Sequence, residues 1–321
     1  MILILLINLK LMEEISIRET IEPLNRSTLR NALKINGTVR SYFSEFLRNM
    51  GYLEIPPVIY STATDPLNHP VFDTSFEYYG QKYSITKSMI FHKQISVQYL
   101  GKIFTFSPNV RLETSDKAST GRHLSEFTQI DIECLNATRD DMISLAENMI
   151  SGVIAEVKNK NSQDLTDLKR ILNQPEKPFV KIRYEDALSQ HGKHFEDVLS
   201  AKMSDPFWII DIPVNEREFY DREDPENEGY LMDMDLIYPE GFGEAISGGE
   251  REFEIEKILQ RVALKGQSPD QFKWFIEAAS GGLLPSAGFG IGIERLVRYL
   301  CGFPKIEMVT PFPKVPGKRS I

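Results

Sequence analysis

Val110–Glu133, VRLETSDKASTGRHLSEFTQIDIE, is the stretch from which the rest of the chain can be read. Its second half alternates strictly. Ile130, Ile132 and Cys134 fall on one face of a strand, and Phe127, Gln129, Asp131 and Glu133 fall on the other. A face carrying an aromatic ring, an amide and two carboxylates is a poor core face and a good floor for a site. The first half reads as a preceding strand with Arg111 and Glu113 on one face, joined to the second by a polar loop. A guanidinium is planar and permanently charged, so Arg111 suits a phosphate gripped through paired hydrogen bonds. Phe127, on the opposite strand, is placed to stack on a base. Singly, these residues would be the solvated charges of a surface hairpin; together they describe a nucleotide site.

Outward from that hairpin, further strands are expected at Tyr83–Thr86, Ile103–Phe106, Phe207–Ile212 and Leu231–Tyr238. A helix with Ser27 as N-cap carries apolar positions Leu29, Leu33, Val39, Phe43, Phe46 and Leu47 and stops at Gly51. Thr138 with Asp141 opens a second helix, whose stripe is Met142, Leu145, Met149, Ile150 and Val153. Residues 158–178 read as a loop-rich connection. A helix near Glu252–Leu264 ends at Gly266, and a glycine-rich strand–helix turn at Gly288–Leu300 follows. Successive strands with short links and no regular βαβ alternation indicate an α+β fold, an antiparallel sheet flanked by helices.

The chain has 321 residues, 41% hydrophobic and 26% charged, enough for one large core or two modest ones. A net charge of −9 and a pI near 5.3 disfavour nucleic acid as the main partner, because gripping a polyanion calls for a basic face. The two cysteines, Cys134 and Cys301, make no disulfide framework and have no metal-ligand spacing around them, which fits a reducing cytoplasm. Residues 1–12, MILILLINLKLM, are too short to span a membrane and lack a signal-peptide cleavage site. Met12 is the expected start of translation. Residues 1–24 are read as an N-terminal extension and 25–321 as one catalytic domain.

Val110–Glu133 resembles motif 2 of the class II aminoacyl-tRNA synthetases, R-x-E, a loop, then R-H-x-x-E-F, and EFTQIDIE looks like the aspartyl/asparaginyl subgroup. The resemblance implies that Arg111 holds the α-phosphate and the substrate carboxylate. By the same likeness Glu113 accepts from the adenine amino group, His123 reaches the outer phosphates of ATP, and Phe127 stacks on adenine. GFGIGIER, Gly288–Arg295, is similar to motif 3, G-x-G-x-G-x-E-R. Alone, its glycines mark only a tight turn; behind motif 2 they imply that Arg295 clamps the γ-phosphate and that backbone approaches the nucleotide closely. GFGEAISGGER, Gly241–Arg251, resembles a third element of the subgroup. It implies that Glu244 and Ser247 offer oxygens to Mg²⁺, assisted by Asp235 or Asp233, a sparse set of the kind magnesium accepts.

The amino acid is read from TKSMIFHKQ, Thr86–Gln94, which resembles the S-P-Q-L-x-K-Q element of aspartyl enzymes. The likeness places Ser88 and Lys93 at the substrate, with Arg251 reading the side-chain end, Gln129 beside it and Asp131 on the ammonium group. Two cations around one carboxylate reject a neutral amide, because one charge would be left buried and unpaired; Lys93 with Arg251 therefore points to aspartate. Ile90 departs from the pattern, Lys87 adds a charge, and Pro285–Gly288 lacks a histidine usual in the family. These departures gather around the amino-acid pocket while the ATP set is intact.

Motif 1 begins within the first 60 residues, whereas an anticodon-reading domain needs about 100 residues of its own. The expected activity is therefore that of the archaeal asparagine synthetases related to asparaginyl-tRNA synthetase: aspartate is adenylated and ammonia attacks, giving asparagine, AMP and pyrophosphate. The alternative is a truncated aspartyl/asparaginyl synthetase paralogue that aminoacylates RNA or a protein. In the first case Glu133, Asp131 or water takes the proton from ammonia. His69 and Asp65, in TDPLNHP, are candidates for a lid. A homodimer through the motif 1 helix is expected, with Phe43, Phe46 and Leu47 suited either to that interface or to the core.

Overall fold

A computed structural model describes residues 21–318 and residue 320 of the protein. The expectations for residues 1–12 lie outside the described residues. The 23-residue helix α1 (Ser27–Asn49) shows why the stripe read from sequence folds as it does: Ala32, Ile35, Val39, Phe43 and Leu47 recur every three or four positions and are fully buried. Fully burying each of the larger side chains contributes about 1.5–3 kcal/mol. Phe43 and Leu47 thus belong to the protein's own core and are not available to a dimer interface. Ser27 is the first helical residue and not the cap; Arg26 precedes it without a side-chain cap. Packing of the stripe stabilises this end without one. Gly51, at φ +82°, supplies the stop.

Eight strands form one sheet: β1 (Leu53–Glu54), β5 (Lys102–Val110), β6 (Glu126–Leu135), β7 (Val180–Arg183), β8 (Phe207–Pro213), β9 (Tyr230–Tyr238), β10 (Gly243–Glu250) and β11 (Ser286–Gly292). Their order is β1-β5-β6-β11-β10-β9-β8-β7. A small antiparallel sheet of β2 (Tyr60–Ser61), β4 (Gln81–Ile85) and β3 (Ser75–Tyr78) stands apart. The central pairings are antiparallel, as expected, but both edge pairs, β1 with β5 and β7 with β8, are parallel. Each edge pair is joined by a long connection with helices in it, which parallel pairing requires. These are α2 (Ile90–Leu100) before β5, and α5 (Tyr184–His191) with α6 (Phe195–Lys202) before β8.

One face of the large sheet buries Phe104, Ile130, Ile132, Ile246 and Phe289 against α1, α3 (Arg139–Lys160) and α9 (Ile293–Cys301). Helix α3 starts with the capping box read from the sequence: the Thr138 backbone N–H donates to Asp141 Oδ2 at 2.9 Å, and the Asp141 N–H donates to Thr138 Oγ1 at 3.3 Å. The connection at 158–178 is more ordered than its polar sequence suggests. Helix α3 runs to Lys160, α4 (Ser162–Asp167) follows, and Leu165 and Leu172 anchor the segment in the core. Helix α7 (Ile255–Leu264) begins three residues later than expected, because Glu252 Oε1 accepts the Phe253 and Glu254 N–H groups and caps it from outside. A second apolar cluster, around Phe91, Phe219 and Phe275, ties α2 to α7 and to α8 (Lys273–Ser280). No helix among the described residues is long and apolar enough to cross a membrane.

Candidate active site

The polar face of the sheet is built in two rows that cross four strands. Asp131, Gly290, Ser247 and Asp235 are successive cross-strand partners on β6, β11, β10 and β9. Two residues further along, Glu133, Gly288, Gly249 and Asp233 form the second row. The glycines of the second row are fixed by sterics. A Cβ at Gly288 would collide with the Glu133 carboxylate and the Ile132 carbonyl, and one at Gly249 would collide with the Asp233 carboxylate. Each acid lies flat across the neighbouring strand because that strand has no side chain there. Gly288 therefore makes room for Glu133 and not for a nucleotide, whereas Gly290 and Gly292 do face the cavity.

Residues three apart on a regular strand face opposite sides, yet Glu244 and Ser247 open into the same cavity. The register between β10 and β9 slips between Glu244 and Ile246, a bulge that turns Glu244 to the side of Ser247. The cavity measures about 350 Å³, within the size range of small-molecule sites. It brings together the site residues singled out from the sequence except Asp235 and Glu133. Arg111, Glu113, His123, Phe127, Glu244 and Arg295 line one part; Ser88, Lys93, Gln129, Asp131, Ser247 and Arg251 line the rest. Asp235 sits behind Ser247, with its carboxylate against the Arg217 guanidinium.

At one end of the cavity, β5 stops at Val110, so Arg111 and Glu113 lie just past the strand and not on it. The Arg111 guanidinium donates from Nε to the Lys87 carbonyl at 3.1 Å and stands 5.3 Å over the Phe127 ring. Arg295 Nη1 lies 3.3 Å from Glu244 Oε2. Burial opposes ionisation of Glu244, but Arg295, then Arg217, Arg122 and Arg111, outweigh it and pull the carboxyl down to about 2. Burial, reinforced by the charges of Arg295 and Arg122, pushes His123 down to about 4. His69 Nε2 lies 3.1 Å from Glu113 Oε1. Burial works to raise Glu113, and this hydrogen bond with the surrounding positive charge more than reverses it, leaving the carboxyl below its usual range.

At the other end the geometry differs from the simple two-cation picture. Lys93 Nζ is 3.0 Å from Asp131 Oδ1 and 3.8 Å from Glu133 Oε2. Arg251 donates to Glu133 from Nε (3.1 Å) and Nη2 (3.3 Å), to Asp221 Oδ1 (3.1 Å) and to the Gly288 carbonyl (2.8 Å). Both cations already have carboxylate partners, so a neutral amide would strand neither. Asp131 Oδ2 and Asp233 Oδ1 are buried without a hydrogen-bond partner. Burial raises the acid groups of Asp221 and Asp233 above the usual carboxylate range.

Sequence reasoning missed Arg122, Arg217, Tyr220 and Asp221 as cavity residues, while Asp233, named as an alternative to Asp235, does line the cavity. Arg217 pairs with both Asp233 and Asp235, and Tyr220 donates to Asp65 Oδ1 at 3.1 Å. The signal for Arg217, Tyr220 and Asp221 was the dense charge of Asn215–Asp224, NEREFYDRED, which reads equally as a solvated loop. Among the described residues no group of three or more His, Cys, Asp or Glu is arranged to hold a metal by itself. The ionised Glu244 and the Ser247 hydroxyl line the cavity as hard oxygen donors and fit a magnesium ion whose other ligands are nucleotide phosphates and water; Asp235, expected to assist, is turned to Arg217 instead.

The sequence profile of the tRNA synthetases class II (D, K and N) matches residues 12–316. The asparagine–tRNA ligase of Koribacter versatilis is 30% identical over 304 residues, covering 88% of this chain and 68% of that protein. The crystal structure of asparaginyl-tRNA synthetase from Pyrococcus horikoshii, complexed with asparaginyl-adenylate, superposes with a TM-score of 0.84 at 26% identity, covering 91% of this chain and 70% of that one. An aspartyl-tRNA synthetase from Entamoeba histolytica shares the fold, with a TM-score of 0.76 at 23% identity.

Proposed function

Because the chain belongs to the class II tRNA synthetases of the D, K and N group, we propose that it joins aspartate to ATP as an aspartyl adenylate and passes the acyl group to ammonia. The supporting observation is the position of Lys93. Its ammonium group lies on the floor of the cavity that also holds Arg251, so two cations converge where the second carboxylate of aspartate would sit. An entering carboxylate exchanges places with Asp131 or Glu133 as their partner. It does not meet a bare charge.

A carboxylate oxygen of aspartate attacks the α-phosphorus, and pyrophosphate leaves. Arg111 and Arg295, at opposite sides of the nucleotide end, stabilise the charge that develops there, and Phe127 orients the base. Magnesium, bound through the phosphates and Glu244, would supply further neutralisation of that charge. Ammonia then attacks the acyl carbon and AMP departs, so one proton must be removed from nitrogen. Glu133 is fully engaged by Arg251 and Ser286 and is a poor acceptor. Asp131, which lines the cavity and keeps Oδ2 without a hydrogen-bond partner, suits that role better. Asparagine forms only if the β-carboxylate is the one activated, so aspartate must lie turned round relative to an α-aminoacyl adenylate.

A second reading, transfer of an α-aminoacyl group to RNA or to a protein, is favoured by the internal neutralisation of Lys93 and Arg251, which removes the obstacle to asparagine. Product analysis separates the two. Protein with ATP, Mg²⁺, aspartate and ammonium, and no RNA, should give asparagine and AMP in equal amounts. Pyrophosphate exchange driven by asparagine or aspartate, with no free asparagine formed, would reject the ammonia reading and favour the second.

A further inference from the structure

The loop between the small sheet and the nucleotide end is stitched across the cavity at four places. Asp65 Oδ1 accepts the Tyr220 hydroxyl at 3.1 Å and the Leu67 N–H at 3.0 Å, which holds Leu67 at φ +62°. Asn68 Nδ2 donates to the Glu216 carbonyl at 3.0 Å. His69 Nε2 meets Glu113 Oε1 at 3.1 Å. Finally, Val71 bridges to Glu113, and the Phe72 N–H donates to the Leu112 carbonyl at 2.8 Å.

His69 lies between two hydrogen-bonding groups. Its Nδ1 lies 3.1 Å from Asn68 Oδ1 while its Nε2 faces a carboxylate. Turning the Asn68 amide over would set its oxygen against the Glu216 carbonyl, so the amide orientation is determined by its own donor. A carboxylate only accepts, so the contact at 3.1 Å is one in which the ring Nε2–H donates to Glu113 Oε1. On the other side of this bond, Glu113 keeps one oxygen in reserve: Oε2 is buried and has no hydrogen-bond partner.

We infer that His69 is a positioning residue for adenine recognition: it holds Glu113 by Oε1 and leaves Oε2 aimed at the exocyclic amino group of adenine, so that closure of the loop and selection of the base are one event. This rests on the reading of the cavity as an ATP site. It extends that reading by tying base choice to a loop that approaches from the other side. The charges around the bond are few. Glu113 faces the ring from the limb after β5, Arg111 and His123 share that carboxylate, and the Val214–Glu216 segment presents only a backbone carbonyl.

The experiment is equilibrium binding of ATP and of purine riboside triphosphate, which lacks the 6-amino group, to the full chain and its variants. His69→Ala should weaken ATP about tenfold and leave the purine analogue within twofold. Glu113→Gln should remove most of the preference for ATP, and His69→Ala added to it should have no further effect. Equal weakening of both nucleotides by His69→Ala would make the residue merely structural, and a full His69→Ala effect in the Glu113→Gln background would remove Glu113 as its target. Either result overturns the inference, as does failure of the wild type to bind ATP. Neither aspartate nor ammonia enters the assay, so its outcome is separate from the question of product.

Discussion

Glu133 lies fully buried against Arg251, its two oxygens 3.1 and 3.3 Å from the guanidinium Nε and Nη2, and the same carboxylate is 3.8 Å from Lys93 Nζ. One acid on β6 therefore holds both cations expected to read the substrate. Glu133→Gln leaves two buried cations short of negative charge. Because removing one partner of a buried pair is costly, the variant should lose roughly 3 kcal/mol of stability. A urea titration should show a lower midpoint with an unchanged slope; an unchanged midpoint would mean that Asp131 and Asp221 alone suffice to hold Lys93 and Arg251.

Lys93→Met tests amino-acid choice directly. If the ammonium group receives the second carboxylate of aspartate, losing it should lower kcat/KM for aspartate at least 30-fold, on the basis of about 2 kcal/mol for a buried charged contact. Asparagine-dependent pyrophosphate exchange should change much less. Equal losses for both amino acids would show that Lys93 serves only to anchor Asp131.

His123 should take up a proton when ATP binds. The Thr120 hydroxyl donates to the Lys117 carbonyl at 2.8 Å, so at 2.6 Å from His123 Nδ1 it is left to accept the ring N–H. The neutral ring then turns only a lone pair outward from Nε2, which a phosphate repels. With the group at about 4 in the free protein, it is unprotonated near neutrality, and arriving phosphates favour its charged form. Calorimetry in buffers of different ionisation heat should report uptake on the order of one proton near pH 6. His123→Gln should abolish that uptake.

Glu196, on α6 beside the outer end of the cavity, is raised to about 7, by burial first and then by the charges of Asp235 and Glu244. Its ordinary value is 4.5, so between those two pH values the folded protein holds a proton that the unfolded chain releases. Stability from this group is therefore full below about 4.5 and is lost as pH rises through 7. Glu196→Gln should match the wild type near pH 4.5 and exceed it by about 1 kcal/mol at pH 8, a figure discounted for partial exposure. Thermal melts at the two pH values decide it, and a constant difference would exclude Glu196 as the titrating group.

Much of this molecule is local, and local features were legible. The alternation of Phe127–Cys134 set which residues face the core and which face the cavity, because a strand's side chains can go nowhere else. The Thr138–Asp141 capping box closed as read, since its partners are three residues apart. The spacing of Arg111, Glu113, His123 and Phe127, with GFGIGIER behind it, was enough to place the family. What the sequence could not contain was the pairing of charges between distant strands. Arg251 reads from sequence as a free cation awaiting substrate, and only the fold lays Glu133, 118 positions earlier, beside it across Gly288. The same holds for the bulge that turns Glu244 toward Ser247, and for His69, which meets Glu113 from a segment 44 positions earlier. Residue type and period fix which face a side chain takes. The charge it meets there depends on strand register and sheet order, which long-range packing alone decides.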